Sequence, residues 1–185
     1  MALVNQGGAV VLSFPGIVFI TICVVAILWL IITYNVLIVF RNRCTNSRSQ
    51  IDVQLKRRYE LVPKLVRTVR EYANHEKETF QRVTEARIRA IEAGSITEQA
   101  EAENGLSGSL KSLFAVAEGY PDLKANENFL KLHDELTEIE DKIRFARRFY
   151  NDTVMRFNTK REIFPNLIVS NLFSFKEELY FNLDE

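Results

Sequence analysis

The sequence predicts an all-α protein, with one N-terminal transmembrane helix followed by an antiparallel bundle of long helices. Three observations predict it. No charged side chain occurs in the first forty residues, and all 24 basic and 24 acidic residues lie from Arg41 onward. Beyond that point apolar residues recur at spacings of three and four, the period of an amphipathic helix. From Phe129 to Phe157 they form a heptad a/d seam. On this reading the chain divides into a short extracytoplasmic N-terminus (1–16), a transmembrane helix (17–40), a cytoplasmic helical bundle (41–163) and an aromatic-rich C-terminal tail (164–185).

The transmembrane helix rests on the run from Ile17 to Phe40, 24 residues that are nearly all apolar. About 20 residues of helix suffice to cross the hydrocarbon core of a bilayer. A cleaved signal peptide would need a basic segment ahead of a shorter apolar run, and this chain has neither. Tyr34 and Asn35 suit the headgroup boundary. Arg41, Arg43 and Arg48 follow the run, and no basic residue precedes it. Positive residues stay on the cytoplasmic side, so the N-terminus is expected outside and the bundle inside.

The basic run continues to Lys56, Arg57 and Arg58. On an upright helix these three stand roughly 22–26 Å above Arg41. A membrane surface potential fades within a Debye length of about 8 Å. Arg41, Arg43 and Arg48 therefore belong to the membrane boundary, and the triplet does not. Its plainer reading is a solvated helix face, and its functional reading is a docking face for an acidic partner.

In the bundle, Ile51, Leu55, Val62, Leu65, Val66, Val69, Tyr72 and Ala73 mark the first amphipathic helix. Pro63 predicts a kink or short break near Tyr59–Val62. The helix is then expected to run on through Tyr72 to Ala93, carrying Phe80, Val83, Ala90 and Ile91. Gly94 ends it, and Ser95 with Glu98 forms a capping-box pattern for the next helix. That helix carries Leu106, Leu110, Leu113, Phe114 and Ala117. Gly105 and Gly108 inside it suggest close approach of a neighbouring helix. Pro121 is a stop signal and Asn126 an N-cap for the last long helix.

The seam of that last helix is Phe129, Leu132, Leu136, Ile139, Ile143, Ala146, Tyr150, Thr153 and Phe157. Around it, Glu127–Lys131, Glu138–Lys142 and Glu140–Arg144 are spaced as i,i+4 ion pairs, as are Glu78–Arg82 and Glu85–Arg89 earlier. The segment Phe164–Leu167 ends the helix. The tail beyond is expected either as a short docked helix or as an exposed interaction segment. No strand is predicted.

Signatures of chemistry are few. The chain has no phosphate-binding glycine loop, no nucleophile elbow and no H-E-x-x-H zinc motif. No catalytic residue and no cofactor is expected. Glu71, His75 and Glu78 share a face of the expected helix and could ligate one metal, although a charged exposed face is the plainer account. Cys44 is a candidate for modification at the membrane surface or simply an inert thiol. Cys23 and Cys44 are too far apart along a helix to pair. With no net charge, a nucleic-acid-binding role is not indicated.

The stretches SQIDVQLKRRYELVPKLVRTVREYANHEKET, LSGSLKSLFAVAEGYPDLKANENF and ARRFYNDTVMRFNTK, with YNVLIVFRN at the membrane exit, resemble the LemA family of bacterial and archaeal membrane proteins. The resemblance runs from about Tyr34 to Tyr180. It implies a single membrane helix and a cytoplasmic four-helix bundle, and it supplies no reaction. It also implies that Lys56, Arg57 and Arg58 belong to a signature shared with YPDLKAN and RRFYND. In the fold these could meet, with Asp122, Asn126 and Asn151 as polar partners, as a structural junction or a partner-binding patch. Genes of this family often lie near those of membrane zinc proteases.

The function expected is that of a membrane-anchored scaffold or adaptor with no catalytic activity. Its expected partners are membrane lipid and either further copies of itself or another membrane protein. The alternative is a regulatory partner of a membrane protease, and a third is a metal-binding enzyme using Glu71, His75 and Glu78.

Overall fold

Six helices follow a pair of very short strands in the computed structural model, which describes residues 3–4, 10–11 and 14–181. The strands are β1 (Leu3–Val4) and β2 (Val10–Val11), and the helices are α1 (Phe14–Tyr72), α2 (Lys77–Glu92), α3 (Ile96–Ala117), α4 (Pro121–Lys124), α5 (Glu127–Glu162) and α6 (Asn166–Leu172). Fold class is as the sequence predicts: all-α, with α1, α2, α3 and α5 as the four long helices. The strands are not foreseen by the sequence pattern. They pair antiparallel, Leu3 with Val11 and Val4 with Val10, and two residues are too few to carry an alternating pattern. Parts of the expected segments 1–16 and 164–185 lie outside the described residues, namely 1–2, 5–9, 12–13 and 182–185.

The chain forms two compact units, Met1–Asn42 with Arg156–Glu177, and Arg43–Met155 with Glu178–Glu185. In the first, α1 carries a segment long and apolar enough to cross a membrane. No side chain from Phe14 to Ile32 is buried. At about 1.5 Å per residue that bare stretch is roughly 28 Å long, close to the ~30 Å of a hydrocarbon core. Burial begins at Thr33 and Leu37. There the Tyr34 ring packs on Phe173 at 4.7 Å and on Phe175 at 5.8 Å, and Phe175 in turn meets Phe157.

In the second unit the apolar stripe of α1 is buried as expected, at Ile51, Leu55, Val62, Leu65, Val69 and Ala73. It joins Phe80 and Val83 of α2, Leu106, Leu110 and Leu113 of α3, and Phe129 and Leu136 of α5 in one core. The α5 seam is buried along its length, and only Leu132 is partly exposed. These residues serve the chain's own core.

Three expectations are corrected. First, of the kink or short break expected near Tyr59–Val62, the break is absent: α1 runs continuously through Pro63. Proline lacks the N–H that would bond the Tyr59 carbonyl one turn earlier. Arg87 Nε donates to that carbonyl at 2.8 Å, so the freed acceptor is satisfied from α2. Secondly, α1 does not run on to Ala93. It ends at Tyr72, and the chain turns over Ala73–Glu76, closed by a Glu76 N–H bond to the Ala73 carbonyl at 3.1 Å. Asn74 and His75 are weak helix formers, and the apolar stripe skips a turn between Ala73 and Phe80. Thirdly, Gly105 and Gly108 do not admit a neighbouring helix. Both are exposed, and a Cβ on either would meet nothing within 4 Å. Gly105→Ala and Gly108→Ala are therefore expected each to raise stability by about 1 kcal/mol, read as a higher urea midpoint.

The predicted caps are present. Ser95 accepts from the Glu98 N–H while the Glu98 carboxylate accepts from the Ser95 N–H, a complete capping box on α3. Asn126 Oδ1 accepts from the Phe129 N–H at 3.0 Å and caps α5. Of the i,i+4 pairs, Glu138–Lys142 and Glu85–Arg89 form. Arg144 instead pairs with Asp141, and Glu140 is drawn to Arg58.

Candidate functional site

The polar residues of the bundle converge at one place, and Arg58 is its centre. On α1 the buried positions run 51, 55, 58, 62, 65 and 69, so Arg58 occupies an apolar-stripe position. On α3 they run 96, 100, 103, 106, 110 and 113, which places Glu103 in the same way. The two side chains are 3% and 0% exposed and meet, Arg58 Nη1 to Glu103 Oε2, at 3.0 Å. Arg58 Nη2 donates to Ser107 Oγ at 2.7 Å and pairs with Glu140 of α5 at 3.2 Å. The planar guanidinium thus ties three helices from one position.

Tyr59 and Gln99 complete the Glu103 environment. The Tyr59 hydroxyl donates to Glu103 Oε1, and Gln99 Nε2 donates to the Tyr59 hydroxyl and to the Ala90 carbonyl of α2, both at 2.9 Å. With Arg87 on the Tyr59 carbonyl, all four long helices are cross-bonded within a few residues. Burial, reinforced by the Glu103 hydrogen bond, pushes the Tyr59 phenol far above its ordinary value. Arg147 of α5 lies nearby. Burial lowers its pKa, while Glu103 and Glu140 raise it. Its guanidinium stacks over the Phe181 ring at 4.5 Å. Its Nε and Nη2 are buried without a hydrogen-bond partner among the described residues.

A second polar clamp holds the tail. Asn151 bonds both backbone groups of Phe181, donating to its carbonyl at 2.9 Å and accepting from its N–H at 2.8 Å. The Tyr150 hydroxyl donates to the Leu179 carbonyl at 2.8 Å. The tail is therefore docked on α5 at Leu179 and Phe181.

The other residues to which the sequence pointed are dispersed. Arg41, Arg43 and Arg48 are exposed on α1. Lys56 and Arg57 are exposed beside buried Arg58. Asp122 is exposed in α4, and Asn126 donates to the Tyr72 hydroxyl at 2.9 Å besides capping α5. Arg58 does meet polar partners, but they are Glu103, Ser107 and Glu140 rather than Asp122, Asn126 or Asn151. Glu71, His75 and Glu78 do not share a helix face, because His75 lies in the turn between α1 and α2. No group of three metal-ligating side chains occurs among the described residues.

Sequence reasoning misses Glu103, Glu140, Tyr59, Gln99 and Arg147. A signal exists for the central pair: a charged residue standing in phase with an apolar stripe, once on each of two helices. Arg147 enters only through the RRFYND stretch of the family resemblance, Gln99 has Glu103 one turn away, and Tyr59 has no local signal, because its partners Ala90, Gln99 and Glu103 are distant in sequence.

Three groups in this unit hold their protons more tightly when folded. Burial, then Glu178, pushes the Cys44 thiol from 9.0 to about 11. Burial, then Glu178, raises the Tyr150 phenol from 10.0 to about 12, and Tyr59 is raised further. Above the ordinary values the unfolded chain loses these protons first, so it binds fewer protons than the folded chain and stability falls as pH rises. Their contribution is intact below about pH 9 and is lost progressively from there to about pH 12. The urea midpoint is expected to drop on going from neutral pH into that window. Cys44, 2% exposed, should stay unmodified by iodoacetamide at neutral pH until the protein unfolds.

An all-α bundle cross-tied by a buried ion pair, on a helix with a bilayer-length apolar segment, defines a membrane-associated helical-bundle protein. The chain belongs to the LemA family, whose sequence profile matches residues 47–185. It is 31% identical over 124 residues to Protein LemA of Metamycoplasma hominis, covering 65% of this chain and 55% of that protein. It is 25% identical over 178 residues to Magnetosome protein MamQ 2 of Paramagnetospirillum magneticum, covering 82% and 65% respectively. With Magnetosome protein MamQ of Magnetospirillum gryphiswaldense it shares 23% identity over 179 residues, covering 83% and 66%. The chain thus spans between about half and two thirds of the length of these relatives.

Proposed function

We propose that this protein is a membrane-anchored scaffold or adaptor, held with its N-terminus outside and its bundle at the cytoplasmic face, and acting by protein contact rather than catalysis. The observation that carries this reading is on α5. Phe145 and Phe149, one helical turn apart, are 72% and 47% exposed, although the seam of the same helix is filled by the chain's own core. Aromatic side chains exposed together on a rigid helix are typical anchors of protein interfaces. The orientation is supported by Arg41, Arg43 and Arg48 following an uncharged apolar segment.

The test is the mass of the full-length protein extracted with its native lipids. A discrete homo-oligomer that dissociates in the Phe145→Ser/Phe149→Ser variant supports self-assembly. A monomer bound to another membrane protein through the same pair supports an adaptor. A monomer with neither contact ends the proposal.

The second reading, a regulatory partner of a membrane protease, is favoured by the exposed cations Lys56 and Arg57 on α1. Charge reversal at these two positions should release an acidic partner. Arg58 must be left intact in that experiment, because its charge is needed inside the bundle.

A further inference from the structure

From Ile163 to Phe175 the chain carries no charged side chain, although roughly one residue in three is charged beyond Arg41. This stretch includes α6. One side of it is inside the fold: Val169, Ser170 and Phe175 are buried. The other side is bare. Phe164, Leu167, Ile168, Leu172 and Phe173 are 75%, 38%, 54%, 64% and 46% exposed. Soluble surfaces rarely gather so many large apolar side chains on so short a segment.

The position of the segment on α1 says what covers it. Phe173 and Phe175 pack on Tyr34, two residues beyond Ile32, where the stretch without a buried side chain ends. The uncharged part of α1, Phe14–Phe40, is 27 residues, or roughly 40 Å of helix. The hydrocarbon core accounts for about 30 Å, and the remaining two turns fall at the headgroup level. Those two turns are where the segment packs. Its apolar face is therefore continuous with the lipid-facing surface of α1.

We infer that the segment 163–175 is a second membrane contact, an interfacial element whose apolar face enters the headgroup–acyl boundary of the same bilayer that α1 crosses. This rests on the reading of α1 as a membrane-spanning helix. A short apolar face lying in the interface adds a second attachment point beside a spanning helix. The segment thereby fixes how far α1 can slide or tilt at its exit.

Tryptophan quenching in vesicles tests this. The full-length protein is reconstituted in phosphatidylcholine, with Trp29, its sole tryptophan, as the reference for the span. In a Trp29→Phe background, Leu172→Trp and Phe164→Trp each place one tryptophan on the bare face, and Leu130→Trp places one on the exposed side of α5. Lipids brominated near the top of the acyl chain should quench the tryptophans at 172 and 164 at least about two-fold, with a blue-shifted emission, as expected for rings held in the interface. The tryptophan at 130 should instead respond to aqueous acrylamide. If those at 172 and 164 follow acrylamide and ignore bromine, the inference is overturned. Protection from both quenchers also overturns it, because protein then covers the face. The reading of α1 is separable: native Trp29 unquenched by lipids brominated deep in the chain would remove both claims. Trp29 quenched with 172 and 164 unaffected would remove only this one.

Discussion

Arg58→Ala is expected to destabilise the folded protein by about 3–5 kcal/mol, the usual cost of removing one partner from a buried ion pair. The loss comes less from the missing attraction than from what remains. Glu103 is 0% exposed, and without Arg58 its carboxylate stays buried with only Tyr59 and Gln99 as donors. Glu103→Ala should cost less than Arg58→Ala, because the guanidinium keeps Ser107 at 2.7 Å and the Glu140 carboxylate at 3.2 Å. Replacing both together, Arg58→Met with Glu103→Leu, should recover most of the loss, because an apolar pair of similar volume needs no compensation. Arg58→Lys should not rescue, because one ammonium cannot reproduce the fork that reaches Glu103, Ser107 and Glu140 at once. Urea unfolding followed by circular dichroism on the detergent-solubilised chain reads all four variants. A loss below about 1 kcal/mol for Arg58→Ala would place the pair with ordinary surface ion pairs and refute the clamp.

Ile143→Ala is expected to cost about 2–5 kcal/mol, the range for truncating a fully packed aliphatic side chain. Ile143 is 1% exposed at the middle of the α5 seam. Because the seam is covered by the chain itself, the loss should not depend on protein concentration. A seam shared between chains would behave differently: the variant would dissociate, and its apparent stability would rise with concentration. The mass of Ile143→Ala extracted with its native lipids should therefore match that of the wild type.

Much of the fold is legible in the sequence because its causes are local. The seam of α5, the capping box at Ser95–Glu98 and the Asn126 cap each depend on residues within one or two turns. The turn at Ala73–Glu76 escapes a sequence reading because its signal is faint: two weak helix formers and one skipped apolar position. Pro63 misleads in the opposite direction. Proline costs a helix one hydrogen bond as well as a steric clash, and here Arg87 from another helix makes good the lost bond. The glycines of α3 suggest contacts, yet what faces them is set by where α3 lies in the bundle, and they face open space.

The candidate site is legible only in part for the same reason. The sequence marks Arg58, but as a member of a basic triplet. The spacing 51, 55, 58, 62 already separates it from Lys56 and Arg57. Its partners Glu103 and Glu140 are 45 and 82 residues away, and local spacing says nothing about which distant carboxylate an arginine will meet.

Patterning along the chain was sufficient for the apolar membrane segment, the basic boundary after it, the helical class and the existence of the α5 seam, because hydrophobic period and charge placement act over a few residues. Burial alone shows that the chain itself fills that seam. Only packing decided that Arg58 is an interior clamp, that Phe145 and Phe149 are left outside, and that the tail divides between Tyr34 and the Asn151 clamp. Those outcomes depend on which helix faces which, and burial of a side chain is a property of its neighbours in space.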